Sequence, residues 1–96
     1  MFVHRGKLVI NNEAYDKFIG LMKSYDELLR QHGLFNSYLI EVENAPGHFW
    51  HETFWHDKAS WEAFLELDAH KAMHEKLESI LLQPVNRNFG NLVLSA

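Results

Sequence analysis

His70 and His74, four residues apart, are the side chains of this 96-residue chain best placed by type and spacing to do chemistry. On a helix that spacing projects both imidazoles from one face about one turn apart, as a metal pair or an acid-base pair requires. Both lie at the margin of their segment's apolar arc, where a pocket beneath the helix would open. The plainer alternative is a pair of half-exposed histidines bonded to water or to Glu75 and Glu78. A second group lies in 48–56, where His48, Glu52 and His56 alternate on one face and His51 falls on the other with Thr53. A His/Glu/His row suits zinc, iron or nickel, but successive same-face residues on a strand stand about 6.6 Å apart, so cross-strand pairing is the expected use. His51 joins the helix histidines only if it faces the helices.

The stretch from His48 to Leu82 holds all three tryptophans and five of the seven histidines. Trp50, Trp55 and Trp61 could clamp a flat ligand, with Tyr38 or a histidine supplying a polar contact. Each ring taken singly reads more readily as core or dimer interface. The chain has no glycine-rich phosphate loop, no G-x-S-x-G elbow and no H-E-x-x-H motif, so hydrolase and nucleotide-binding readings lose their usual support.

These residues must be positioned by a single domain, 1–96, too apolar for disorder at 47% hydrophobic and 14% aromatic. The net charge of -4 and the absence of a Lys/Arg cluster leave no footprint for nucleic acid. No apolar run approaches a membrane span, and the start MFVHRGKL lacks a signal-peptide core. A soluble cytoplasmic protein is the expectation. Zero cysteines excludes disulfides and thiolate chemistry.

Residues 2–10 read as a strand ending at Asn11-Asn12, with Asn12 as N-cap of a helix whose apolar face carries Ala14, Phe18, Leu21, Met22, Tyr25, Leu28 and Leu29. Gly33 closes that helix in a left-handed cap. Residues 35–43 form a second strand with Tyr38, Ile40 and Val42 on one face, 44–47 a turn, and 48–56 a third strand paired to the second as a hairpin. Trp50 and Phe54 point to one side of that strand and Phe49 and Trp55 to the other. Asp57 caps the next helix, whose early apolar residues Trp61, Phe64 and Leu65 are offset by roughly a third of a turn from Ala69, Ala72, Met73, Leu77 and Ile80. A break near Leu67-Asp68 follows, with Asp68 capping a second segment that ends before Pro84. Residues 88–95 form the last strand. The order β-α-β-β-α-β gives an α+β, ferredoxin-like fold, a four-stranded antiparallel sheet with its helices on one face. Because the third strand is aromatic on both faces, the uncovered face must meet another layer, most simply a second copy, and a homodimer is expected.

The order of elements and the run Trp55-x8-Phe64-x9-His74 resemble the dimeric α/β-barrel superfamily, and within it the antibiotic biosynthesis monooxygenase group and its haem-degrading relatives. The resemblance implies two sheets meeting across a dimer, with a pocket in each subunit between sheet and helices. It places His74 where haem-degrading members ligate iron, and Trp55 on a recurrent strand tryptophan. Phe64 stands where those members carry a functional tryptophan, and about His4 or Arg5 stands where many members carry an asparagine. Those two positions depart from the family pattern; if the chain is catalytic, the resemblance implies oxygenation of a flat, electron-rich small molecule without a bound redox cofactor. His74 is then the first choice of base and His70 the second, with Trp55, Phe64, Trp50, Tyr38 and His51 lining the pocket. The alternatives are a non-catalytic homodimer that binds a small ligand or has a structural role, and a haem protein ligated through His74.

Overall fold

The computed structural model describes residues 1–95. Its elements run β1 (Phe2–Val9), α1 (Tyr15–Gln31), β2 (Leu34–Glu41), β3 (His48–Trp55), α2 (Lys58–Leu65), α3 (Asp68–Glu78) and β4 (Asn86–Asn91). The strands form one sheet in the order β2-β3-β1-β4, every neighbouring pair antiparallel. This is the ferredoxin-like α+β architecture that the hydrophobic periods require.

The ends of the elements follow local chemistry. Asn11, not Asn12, caps the first helical turn: its side-chain oxygen accepts from the Glu13 N–H at 3.0 Å, and a short 3-10 turn precedes α1. After α1 the chain turns at Gly33 with φ 91°, the left-handed geometry that a Cβ disfavours. Asp57 caps α2 by accepting from Ser60 N at 2.8 Å. The break between α2 and α3 falls where the two apolar arcs part, but Leu67 occupies the cap position without a side-chain bond and Asp68 is the first helical residue. Asp68 is therefore a dipole-compensating acid rather than a cap. β4 pairs from Asn86 to Asn91, with Gly6 opposite Arg87, so the ladder starts two residues before and stops four residues before the expected 88–95. Leu92, Val93 and Leu94 run beyond it, exposed.

Register sorts the side chains. On the helix-facing side β1 presents Phe2, His4, Gly6 and Leu8, and β3 presents Phe49, His51, Thr53 and Trp55; all eight are buried. Two apolar clusters result, one of Leu8, Ile10, Phe18, Met22, Phe49 and Leu77, the other of Phe2, Leu29, Trp55 and Phe64. Between them each central strand carries polar or small residues: His4 and Gly6 on β1, His51 and Thr53 on β3. α1 places Tyr25 at that level, between Met22 and Leu29. α3 does not bury the arc that its alanines define: Ala69 and Ala72 are exposed, while His70 and Leu77 are buried. The inner face of α3 is thus 70-74-77, with His70 buried in the packing surface and His74, its side chain 26% exposed, at the margin where the cleft opens.

Candidate active site

The polar layer is a hydrogen-bonded network. Arg87, on β4, donates from Nη1 to His4 Nε2 at 2.8 Å. A guanidinium can only donate, so that nitrogen is unprotonated and a neutral His4 carries its proton on Nδ1. Nδ1 lies 3.4 Å from Thr53 Oγ1, which also receives the Trp55 indole N–H at 3.0 Å and lies 3.4 Å from the His4 carbonyl oxygen. The Thr53 hydroxyl thereby accepts twice and donates once, its full capacity. Burial, and then the nearby Arg87 charge, lower the His4 pKa to about 3.

Tyr25 OH and His70 Nδ1 share a hydrogen bond of 2.9 Å across α1 and α3. Burial raises the Tyr25 phenol well above its ordinary range and lowers His70 to about 4, with His74 adding to the second shift. His51 faces the helices, its ring edge-on to Tyr25 at 6.0 Å, and burial lowers it to about 4. The His70 and His74 rings stack at 5.7 Å. His74 Nε2 lies 2.6 Å from Glu78 Oε1; because a carboxylate only accepts, Nε2 bears the proton and a neutral His74 keeps Nδ1 as its basic nitrogen.

Around this network is a small cavity of about 30 Å³, lined by His4, Tyr25, His51, Thr53, Trp61, Phe64, His74 and Arg87 among others. Beside it lies an open cleft of about 450 Å³, bounded by His74, Glu78, Leu81, Leu82, Gln83, Pro84, Val85 and Arg87. His74, Val85 and Arg87 belong to both and form the wall between them.

Of the residues expected to line a pocket, Trp55, Phe64 and His51 are brought to the cavity with His74, and His70 packs on Phe64 at 4.8 Å. Trp50 and Tyr38 are not. Register puts Ile40 opposite Trp50 and Tyr38 opposite Glu52 on the face away from the helices, where Arg5 lies 4.9 Å over the Trp50 ring. Glu52 is paired across strands with Arg5 at 2.7 Å, the simpler of its two expected uses. Four members of the network, His4, Tyr25, Thr53 and Arg87, were not among the expected site residues. His4 was legible from alternation with Phe2 and Leu8 in β1, whereas Arg87 follows only from the β4 register.

With His74 Nε2 bonded to Glu78, only Nδ1 is left to meet a haem iron, and the cavity that His74 lines against the sheet holds about 30 Å³.

The family model for antibiotic biosynthesis monooxygenase matches residues 1–76. The chain belongs to that family. Its fold is shared with an antibiotic biosynthesis monooxygenase at TM-score 0.85 and 20% identity, covering 98% of this chain and 100% of that one. A conserved protein from Methanosarcina mazei Go1 aligns at 0.83 and 20%, covering 93% and 89%. A Deinococcus radiodurans protein assigned to the same monooxygenase group aligns at 0.87 and 17%, covering 100% and 96%. No curated protein matches the sequence. Among the described residues, no helix is long and apolar enough to cross a membrane, and no three His, Asp or Glu side chains are grouped as a metal site.

Proposed function

We propose that this family member oxygenates a small, flat, electron-rich molecule without a bound redox cofactor, working as a homodimer. The observation that carries the reading is the position of His74. It stands in the wall between the open cleft and the small inner cavity, with Nε2 held by Glu78 and Nδ1 left without a partner among the described residues. His74 removes a proton from an acidic C–H of a substrate seated in the cleft, and the resulting carbanion reduces dioxygen. A methylene so oxidised becomes a carbonyl, one oxygen atom entering the product and the other leaving as water. His70, bonded to Tyr25 and held to about 4, is too weak a base for this step and positions α3 instead.

Oxygen uptake with a panel of polycyclic phenols, followed by ¹⁸O incorporation from labelled dioxygen, tests the proposal. His74→Ala is expected to lower the rate about 10²-fold or more, the typical worth of a positioned base. Product formation unaffected by that change would exclude His74 as the base.

A second reading is favoured by one specific observation. The inner cavity is only about 30 Å³, with Phe64 packed against Trp55 at 5.4 Å and His70 at 4.8 Å. A dimer with a structural role, or one that only binds a small ligand in the open cleft, would need no larger chamber between sheet and helices. Ligand binding without oxygen uptake across the panel would select this reading.

A further inference from the structure

Arg87 is the one cation in the wall between cavity and cleft, and its surroundings do not neutralise it. Its described hydrogen bond goes to His4, a neutral imidazole, and among the described residues no carboxylate lies within ion-pair distance. Glu78, the carboxylate of the same cleft, acts on Arg87 only at longer range and is engaged by His74. The guanidinium has five N–H donors in a fixed fork, and a half-buried one with donors to spare is suited to a planar anion. Half-burial strengthens the attraction relative to a fully solvated pair. The rest of the cleft wall supplies Leu81, Leu82, Pro84 and Val85, an apolar surface beside the charge.

We propose that the cleft between α3 and β4 is a binding site for a small organic anion, its carboxylate or phenolate seated on Arg87 and its apolar body on Leu81, Leu82 and Val85. The assignment goes beyond oxygenation, since it concerns what the cleft binds and stands whether or not the bound molecule is turned over. Glu78 sets a limit on charge: its carboxylate faces the same cleft, so a singly charged ligand is accepted and a multiply charged one is repelled.

The test is calorimetric titration of the full chain with 1-naphthoate and with its neutral counterpart, 1-naphthylmethanol. Naphthoate is expected to bind about ten- to a hundredfold more tightly, the usual worth of a hydrogen bond to a charged group. Arg87→Gln removes the charge, so it is expected to erase that preference. Glu78→Gln is expected to strengthen naphthoate binding and leave the alcohol unchanged. Equal affinity for the two probes, no naphthoate binding, or a weakening of naphthoate by Glu78→Gln would overturn the proposal. If Arg87→Gln does not fold, the wild-type comparison and the Glu78 variant still decide it. Naphthoate bound through Arg87 with no oxygen uptake by any substrate would leave this inference standing and remove the monooxygenase reading.

Discussion

The Thr53 hydroxyl is the hub of the polar layer, because it accepts from the Trp55 indole and from His4 Nδ1. Thr53→Val keeps the shape and strands two buried donors, and is expected to cost about 1–3 kcal/mol in urea unfolding. Thr53→Ser retains the hydroxyl and is expected to cost less; equal loss in both variants would show that the methyl group, not the network, matters. The histidines make stability depend on pH with a definite sign. His51 and His70 are lowered to about 4 and His4 to about 3 when folded, whereas the unfolded chain titrates near 6.5, so below that value the unfolded state binds more protons. The stability these histidines contribute is therefore held above pH 6.5 and lost as the pH is lowered toward the folded values. Urea midpoints measured from pH 7.5 to 5 are expected to drop steeply below 6.5, and a flat profile would mean that these histidines are solvated. At this scale the sequence was only partly legible. His51 on the face opposite Glu52 follows from a period of two, but the pairing of Arg87 with His4 joins residues at opposite ends of the chain, and nothing local encodes it.

At the scale of elements, β1, β3 and α1 each carry an apolar end, a polar middle and another apolar end. β1 runs Phe2, His4, Leu8; β3 runs Phe49, His51 and Thr53, then Trp55; α1 runs Phe18 and Met22, Tyr25, then Leu29. The two apolar clusters clamp the histidine layer from above and below, which is why it is dry enough to hold imidazoles neutral. The break between α2 and α3 was readable from the shift in apolar phase. Which arc α3 buries was not, because small alanines at 69 and 72 lose little by exposure, while the bond from His70 to Tyr25 compensates burial of the imidazole. Two glycines test the backbone. Gly20, in mid-α1, has open space where a Cβ would sit, so Gly20→Ala is expected to stabilise by about 1 kcal/mol through helix propensity. Gly47 ends the β2–β3 turn at φ 82°, where a Cβ would collide with the Ile10 carbonyl oxygen. Its own carbonyl accepts from Ile10 N at 2.8 Å. Gly47→Ala is expected to destabilise by more than about 1 kcal/mol. Thermal unfolding of both variants reads the contrast, and a shift of the same sign in each would contradict it.

For the whole molecule the decisive feature is the sheet face turned away from the helices. Trp50, Phe54, Tyr38, Ile40 and Val3 share it by register, with Tyr38 51% and Ile40 37% exposed. The aromatic alternation of β3 demanded two covered faces, and one chain supplies helices for one only. The Arg5–Glu52 pair and the Arg5 stack on Trp50 lie in the same face, so a dimer formed on it would bury a polar pair as well as apolar area. Ile40→Asp places an unpaired charge on that face without touching the histidine layer behind the sheet. Sedimentation at tens of micromolar is expected to give a dimer for the natural sequence and a monomer for Ile40→Asp. In that monomer the Tyr25–His70 bond is expected to survive, visible as unchanged histidine resonances, because its partners come from α1 and α3 of one chain. A natural sequence that sediments as a monomer would leave the aromatic face without a partner and end the dimer argument, while leaving the proposed Arg87 cleft, built within one chain, unaffected.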